Sequence, residues 1–416
     1  MHQIFQSCRV GCFLALRSVK RGNRYVTILI IVIMTLIFLN LVAVGGLLLG
    51  LIQGANIAYI RDFSGSLLVE PRTDKNFIEK SIDLIDFIKS LPGFMAYSPR
   101  ISTGVKLETD YKNRPAGMKG QSIGATIVGI DPVLDAMTTA FSQRVIEGRF
   151  LRPDDRDKIV LGSVLAARGA TISIGESLKE VNVGDKVLAT FGNGVRREYE
   201  VVGIVKSKVN LLNLKAFMNL REARDVLNIR DNRLTQIAIK TNDPFNAPAF
   251  KKYFTDAGYD KDYVIKTWDE SLGSFVNDIN SSFNLIADIV GGIGLVVGGI
   301  TIFILIFVNA VSKRRYIGVL KACGITPAAI VLSYVLQGLF YTMIAVLLGS
   351  MIIYGFLIPY YDKHPVIFPF AEGIIYVTTP YITVRIIIIM FVAILSGFVP
   401  AYMIAKENTL NAILGR

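Results

Sequence analysis

Four long apolar segments constrain the fold of this chain more than any other feature. The first, residues 25–52, contains no charged residue, and it exceeds the roughly 20 residues that cross the hydrocarbon layer of a bilayer. The other three are residues 285–311, 328–358 and 380–405. The mean hydropathy is +0.48, and the apolar residues are gathered into these blocks instead of being spread as in a soluble core. The pattern predicts a membrane α-helical protein with four transmembrane helices.

The basic residues predict the orientation of the spans, because Lys and Arg near a span resist translocation. Five precede the first span, four lie between the second and third spans, and Lys406 and Arg416 follow the fourth. Both termini are therefore expected to be cytoplasmic in a multi-pass protein of the cell (inner) membrane. A cleaved signal peptide is the alternative for the N-terminus, but the apolar run is too long and no small-x-small site follows it.

This orientation divides the rest of the chain between the two sides of the membrane. The predicted cytoplasmic segments are residues 1–24, 312–327 and 406–416. The predicted extracytoplasmic segments are residues 53–284 and the loop 359–379. The net charge of +12 is in good part this topology signal, so membrane lipids are expected as anionic neighbours and nucleic acid is not. Cys8, Cys12 and Cys323 all fall on the cytoplasmic side, so the outer region must fold without disulfides.

The outer region, residues 53–284, is predicted to be an α+β domain inserted between the first and second spans. It begins with a predicted strand at 66–69. A helix follows, with apolar residues at helical spacing from Phe77 to Ile88, and a turn at 91–93 ends it. The strand-helix-strand pattern recurs over 235–267. Between the two units, residues near 126–205 predict a β-rich lobe, and a single mixed α+β domain is the alternative.

Several kinds of chemistry are missing from the sequence. No Gly-Lys dipeptide is present, so the chain has no phosphate loop, and ATP with Mg²⁺ is expected on a partner chain. With only His2 and His364 and no paired cysteines at metal-ligand spacing, a zinc site is not expected. No catalytic, cofactor-binding or metal-binding residue is predicted, and the chain is not expected to be an enzyme.

The second span contains a glycine cluster that predicts close helix packing. Small residues inside a bilayer let helices approach each other, whereas a phosphate loop would lie outside it. A packing or dimerisation face is therefore predicted at Gly291, Gly292, Gly294, Gly298 and Gly299.

Two charged residues lie near the predicted outer ends of the spans. Arg385 is expected to snorkel to the outer headgroups, and contact with a lipid-like substrate is the alternative. Asp288 is expected to be an interfacial residue, with an ion or proton site as the alternative.

The basic turn between the second and third spans, 313–324, predicts a short amphipathic helix ending at Gly324. A topology anchor needs the charges alone, so the amphipathic pattern favours a protein contact. The N-terminal residues 5–20 are also amphipathic and suit a helix on the inner membrane surface.

The chain resembles the membrane subunits of ABC transporters of the MacB, LolC/LolE and FtsX type. The resemblance is strongest in the turn, at Arg314, Arg315, Ile317, Gly318, Lys321, Ala322 and Gly324. Phrases in the outer region, at 147–150, 159–162, 183–185 and 202–204, are similar to the family in order and spacing. Tyr316 departs from the family, which commonly has Glu at this position.

The resemblance implies a dimer of permease subunits bound to two ABC ATPase subunits, with outer domains that move when the ATPases close. The turn would be the coupling helix, with Ile317 and Leu320 packing into an ATPase groove. Arg314, Arg315 and Lys321 would contact acidic protein surface or headgroups.

The implied function is that of an ABC transporter permease acting on a lipoprotein, lipid or hydrophobic peptide. Residues 97–100 and 129–132 resemble the lipoprotein-releasing branch of the family slightly more than the other branches. The alternative is a mechanotransmission regulator of an extracytoplasmic hydrolase or sensor, which would contact an extracytoplasmic cargo or adaptor protein.

Overall fold

The computed structural model describes residues 2–21, 24–112, 122–168, 177–178, 181–364, 366–367, 372–373 and 375–406. The chain forms two compact units. The membrane unit comprises Met1–Gln53, Asn280–Ile367 and Glu372–Arg416, and the α/β domain comprises Gly54–Ile279 with Phe368–Ala371. Most of the predicted C-terminal tail, residues 407–416, lies outside the described residues.

The helices are numbered in chain order. They are α1 (His2–Arg21), α2 (Arg24–Tyr59), α3 (Ser81–Ser90), α4 (Pro132–Thr138), α5 (Asn210–Asn213), α6 (Leu220–Leu227), α7 (Ala247–Asp256), α8 (Trp268–Ser271), α9 (Gly273–Ser312), α10 (Arg314–Ala322), α11 (Pro327–Ile352), α12 (Ile358–Lys363) and α13 (Thr379–Lys406). Two π-helical turns extend α2 and α11, at Ile60–Ser64 and Ile353–Leu357.

Four of these helices are long and apolar enough to cross a membrane. The candidate spans are Arg24–Ser64, Asn284–Val308, Pro327–Lys363 and Thr379–Lys406. The third begins sharply because the Thr326 side chain accepts a hydrogen bond from the Ala329 amide and Pro327 occupies the first turn. The predicted fold class, four membrane helices with a mixed helix-and-strand (α+β) domain inserted between the first and second, is confirmed.

The core of the membrane unit forms where the helices cross. One apolar cluster includes Met34 of α2, Ile306 of α9, Tyr341 of α11 and Ile404 of α13. Helix α1 packs against α11, where a Cβ on Gly11 would lie 3.1 Å from the Ala329 carbonyl oxygen. The N-terminal helix, predicted to lie on the membrane surface, therefore also contacts protein.

The α/β domain is built on one ten-stranded sheet. Its strands are β1 (Leu67–Pro71), β2 (Phe94–Glu108), β3 (Ser122–Ile130), β4 (Val145–Gly148), β5 (Lys158–Gly162), β6 (Lys186–Phe191), β7 (Arg196–Val205), β8 (Lys215–Asn219), β9 (Gln236–Thr241) and β10 (Tyr263–Thr267). The membrane unit adds a two-stranded pair, β11 (Val366–Ile367) with β12 (Glu372–Gly373).

Strand β2 joins two parts of this sheet. Its first half pairs with β9, so that the order β10-β1-β9-β2 with α3 and α7 forms a split β-α-β arrangement. Its second half pairs with β6, which closes the ring β2-β3-β8-β5-β7-β6. The β-rich region predicted near 126–205 thus does not form a sheet of its own. It needs β2 and β8, which lie outside that range, because long-range pairing is not encoded in local periodicity.

Two apolar clusters stabilise the α/β domain. The larger one includes Leu84 and Ile88 of α3, Ile101 of β2 and Phe254 of α7, all fully buried. The second includes Phe63, Val128 and Phe217. Alternate residues of β3 face opposite sides of the sheet, so Ile127 lies in the larger cluster and Val128 in the second.

Candidate coupling surface and supporting contacts

Helix α10 lies in the short connection between the second and third spans. Gly324, with φ of +83°, ends it in the left-handed conformation that glycine adopts without strain. The Ile325 amide then donates to the Leu320 carbonyl oxygen at 3.1 Å. The glycine predicted from the turn pattern thus stops the helix, and two residues, Ile325 and Thr326, lead from it into α11.

One face of α10 is held by the chain's own helices. Ile317 is only 2% exposed and lies in the cluster with Ile306 and Ile404. Gly318 is also buried, and Leu320 packs against the same cluster. The Lys321 Nζ donates to the Ala405 carbonyl oxygen at 2.9 Å. These contacts fix α10 on the ends of three spans.

The opposite face of α10 is open. Tyr316 is 58% and Val319 48% exposed, and Arg315, Ala322 and Gly324 are exposed beside them, whereas Arg314 is half-buried. The expected insertion of Ile317 into a partner groove is corrected by this geometry, because Ile317 already packs against its own chain. An amphipathic pattern defines two faces but does not say which one the spans cover.

The glycines of the second span face two different helices. A Cβ on Gly294 would lie 3.1 Å from Asn40, and one on Gly298 would lie 2.6 Å from Ile37, both on α2. A Cβ on Gly299 would lie 2.9 Å from Val392, and one on Gly291 3.5 Å from Arg385, both on α13. Gly292 faces open space.

Arg385 forms an ion pair within the membrane unit. Its guanidinium lies 3.4 Å from the Asp288 carboxylate of α9, and its side chain is 15% exposed. The same guanidinium stacks over the Tyr381 ring at 5.0 Å. The two charges interpreted separately in the sequence therefore meet, so that Asp288 and the Tyr381 ring hold the side chain expected to snorkel.

The sequence analysis missed a buried acidic residue at the end of the first span. Asp62 lies in the π-helical turn that follows α2, and its side chain is fully buried. It accepts hydrogen bonds from Ser207 Oγ at 2.7 Å and from Arg144 Nε at 3.2 Å. A buried carboxylate is stable only when it is paired in this way. Arg61 Nε also donates to it at 3.1 Å, but Arg144 and Ser207 follow it by 82 and 145 residues, so no local pattern signals those two contacts.

A second buried ion pair explains two of the phrases singled out in the sequence. Arg100 donates to the Asp135 carboxylate at 2.8 Å, and both side chains are 3% exposed. Ser98 Oγ donates to the same carboxylate at 2.6 Å. Asp135 is placed there by α4, whose first turn is capped by Asp131. Residues 97–100 and 129–132 thus form one structural unit.

Arg100 also contacts the π-helical turn. It donates to the Phe63 carbonyl oxygen at 2.8 Å and stacks over the Phe63 ring at 4.8 Å. Asp62 and Phe63 are therefore both held by side chains from distant parts of the α/β domain. The turn that follows α2 is therefore held by side chains within the α/β domain.

Among the residues that the structure describes, no group of three His, Cys, Asp or Glu side chains could hold a metal ion. The arrangement instead consists of four candidate spans, a clamped exit from the first span, and a connecting helix with one covered and one open face. These features define a membrane protein with an α/β domain inserted after its first span.

Comparison with known proteins agrees with this class. Residues 289–409 match the family described as FtsX-like permease C-terminal. The chain is 23% identical over 326 residues to the lipoprotein-releasing system transmembrane protein LolC of Neisseria meningitidis, covering 75% of each. It is 24% identical over 194 residues to the macrolide export ATP-binding/permease protein MacB of Chromobacterium violaceum, covering 46% of this chain and 27% of that protein. The predicted resemblance is confirmed: the chain contains an FtsX-like permease domain at residues 289–409 and is similar to the permease proteins LolC and MacB.

Two solved structures are also similar to the chain. The periplasmic region of MacB from Actinobacillus actinomycetemcomitans is 18% identical with a TM-score of 0.34, covering 49% of this chain and 89% of that one. The extracellular domain of the ABC-type transporter YknZ from Gram-positive bacteria is 13% identical with a TM-score of 0.30, covering 48% of this chain and 98% of that one.

Proposed function

We propose that this chain is a permease subunit that couples ATP hydrolysis by a separate ABC ATPase subunit to movement of its α/β domain. The observation that carries the proposal is the two-faced geometry of α10. Ile317 and Lys321 attach the helix to the spans, while Tyr316 and Val319 face outward. A partner pressing on the open face would push on the helices to which the covered face is attached.

The route from α10 to the α/β domain is supported by the first span. Helix α2 runs without interruption from Arg24 to Tyr59, and the turn after it is clamped through Asp62 and Phe63. A long helix with a rigid end transmits displacement, whereas a flexible linker would absorb it.

The proposed assembly follows from this role. The chain pairs with a second permease subunit, identical or different, and with ATPase subunits that bind ATP and Mg²⁺. Its α/β domain lies outside the membrane and its termini lie inside, as the basic residues predict. The substrate is amphipathic, a lipoprotein, lipid or hydrophobic peptide.

The test is co-purification with the candidate ATPase and measurement of ATPase activity in nanodiscs. Tyr316→Asp and Val319→Asp should abolish co-purification, because each puts a charge on the exposed contact face. Ile82→Asp is the matched control, since Ile82 is 54% exposed on α3 of the α/β domain, and it should leave assembly unchanged. Normal co-purification and stimulation by both α10 variants would reject the coupling role of this face.

A further inference from the structure

One face of the ring of strands carries glycine, threonine and lysine in place of large apolar residues. Directly opposite residues on paired strands share a face of the sheet. The register places Gly104, Thr126 and Lys215 in one row across β2, β3 and β8. The next row contains Thr190, Lys106 and Gly124 across β6, β2 and β3.

The other face of the same strands is covered. Val105 and Leu107 of β2, with Ile123 and Ile127 of β3, all lie in the larger apolar cluster of the α/β domain. Because successive residues alternate between faces, the burial of these four residues leaves the glycine and lysine rows on the outside.

The glycine and lysine rows form the floor of an open groove. A Cβ on Gly104, Gly124 or Gly192 would meet no heavy atom within 4 Å. Leu211 and Leu214 line the groove beside them, and its volume is about 1130 Å³. That volume is slightly above the range of small-molecule pockets, roughly 300–1,000 Å³, and suits an extended ligand.

The groove contains two lysines and, among the described residues that line it, no acidic side chain. The Glu70 carboxylate acts on Lys215 from outside the groove and is itself hydrogen-bonded to Lys266. Lys215 is half-buried, and its Nζ lies 4.4 Å from the centre of the Phe63 ring. Burial, assisted by the nearby Arg100, lowers the pKa of Lys215 to about 8. A bound anion would offset the cost of this desolvated ammonium.

A peptide strand fits the groove poorly. The glycine and lysine rows lie on the face of strands β2, β3 and β8, which pair with one another side by side. A peptide strand adds to a sheet at its edge, through backbone hydrogen bonds, and so would not occupy this face. What the groove offers is apolar surface, hydroxyl groups and positive charge.

We propose that this groove binds an anionic amphiphile, with the charged headgroup at Lys215 and Lys106 and part of the acyl chain on the glycine floor against Leu211 and Leu214. This site adds a specific binding surface to the proposed function. It rests on that function in one respect, that an anionic amphiphile is present beside the α/β domain. The Lys215 ammonium would donate a hydrogen bond to the anionic headgroup. Because donor and acceptor are then both charged, this hydrogen bond is stronger than a neutral one.

The test uses the full chain in phosphatidylcholine nanodiscs without any ATPase. The probe is a lysophosphatidylglycerol with a photoreactive diazirine on its acyl chain, and cross-linked peptides are identified by mass spectrometry. Cross-links should fall on β2, β3 and the segment around Leu211, and labelling there by the matching lysophosphatidylcholine should be much weaker. Lys215→Gln should reduce labelling about tenfold, because it removes one hydrogen bond to a charged group.

The variants separate loss of the site from loss of the fold. Gly124→Leu should block the groove, whereas Gly124→Ala should fold and bind normally because its Cβ has open space. Lys252→Gln, at an exposed lysine of α7, should label like the original chain.

Labelling unaffected by Lys215→Gln and Gly124→Leu would overturn the proposal, as would equal labelling by the zwitterionic probe. Displacement of the probe by polyglutamate but not by anionic lipid would assign the groove to an acidic protein segment instead. Because no ATPase is present, these results are independent of the co-purification test.

Discussion

Asp62 shows how a single side chain can fix the end of a transmembrane helix. Its carboxylate is fully buried and accepts hydrogen bonds from Arg144 and Ser207. Removing its charge leaves these donors without their acceptor, and the loss of a buried hydrogen bond to a charged group costs more than an exposed one. The clamp at this turn therefore depends on the carboxylate.

Asp62→Ala should lower the free energy of unfolding of the α/β domain by roughly 2–3 kcal/mol. Trp268 is the only tryptophan in the chain and packs against both apolar clusters of this domain, so its fluorescence in a urea titration reports the change. Asp256→Ala, at an exposed position on α7, is the control and should change stability little. An unaltered urea midpoint for Asp62→Ala would show that the clamp contributes nothing to stability.

The contact between Arg149 and Asp155 should make the stability of the α/β domain depend on pH. The Arg149 guanidinium donates two hydrogen bonds of 2.7 Å to the Asp155 carboxylate, and these lower the pKa of Asp155. The folded carboxylate therefore holds a proton less tightly than the unfolded one, whose pKa is about 3.9. The stabilisation is present above about pH 4 and is lost as the pH falls through the lower pKa of the folded state.

Arg149→Met should destabilise the α/β domain by about 1 kcal/mol at pH 7, a modest effect because the guanidinium is partly exposed. The difference between the variant and the original chain should shrink towards pH 3. Urea titrations followed by Trp268 fluorescence at both pH values measure it. A difference that is the same at pH 7 and pH 3 would exclude Asp155 ionisation as the cause.

At the level of the secondary-structure elements, the second span provides a matched pair of glycines. A Cβ on Gly298 would crowd Ile37 of α2 at 2.6 Å, whereas Gly292 on the same helix faces open space. Gly298→Leu should separate α9 from α2 and cost roughly 1–3 kcal/mol, as overpacking does. Thermal unfolding in nanodiscs should show a lower midpoint for Gly298→Leu than for Gly292→Leu. Equal midpoints would contradict this packing.

The elements also show what could be predicted from the sequence. Helical spacing of apolar residues predicted a helix from Phe77 to Ile88, of which α3 covers the part from Ser81 onwards. Length with hydropathy identified the four spans, because those signals are local. The closed ring of strands was not predicted, since β2 pairs with β6 across about 80 residues of sequence. The outward face of α10 was assigned to Ile317 rather than to Tyr316 and Val319 because periodicity does not say which side other helices cover.

The ion pairs also could not be predicted, because their partners are far apart in the sequence. Arg385 and Asp288 were each noticed as unusual charges in the sequence, but 97 residues separate them, and their contact required the folded helices. Asp62 was not noticed at all, because one acidic residue after an apolar run is ordinary. Conversely, the glycine stop of α10 was predicted correctly, since a positive φ has a local signature.

For the whole molecule, the proposed coupling runs through α2. A helix of 36 residues is about 54 Å long at 1.5 Å per residue, and the turn that follows it is held by Asp62 and Phe63. If the proposed coupling operates, force applied at α10 changes the separation between the membrane unit and the α/β domain.

The most direct measurement is the distance between spin labels at Cys12 on α1 and at a cysteine replacing Lys252 on α7. Cys8 and Cys323 are changed to Ser, both labelled sites are exposed, and the chain is diluted with unlabelled copies in nanodiscs with its ATPase. Trapping ATP should shift this distance by on the order of 5 Å, and the Val319→Asp variant should show no shift. A distance distribution that stays the same while the assembled complex hydrolyses ATP would contradict the account.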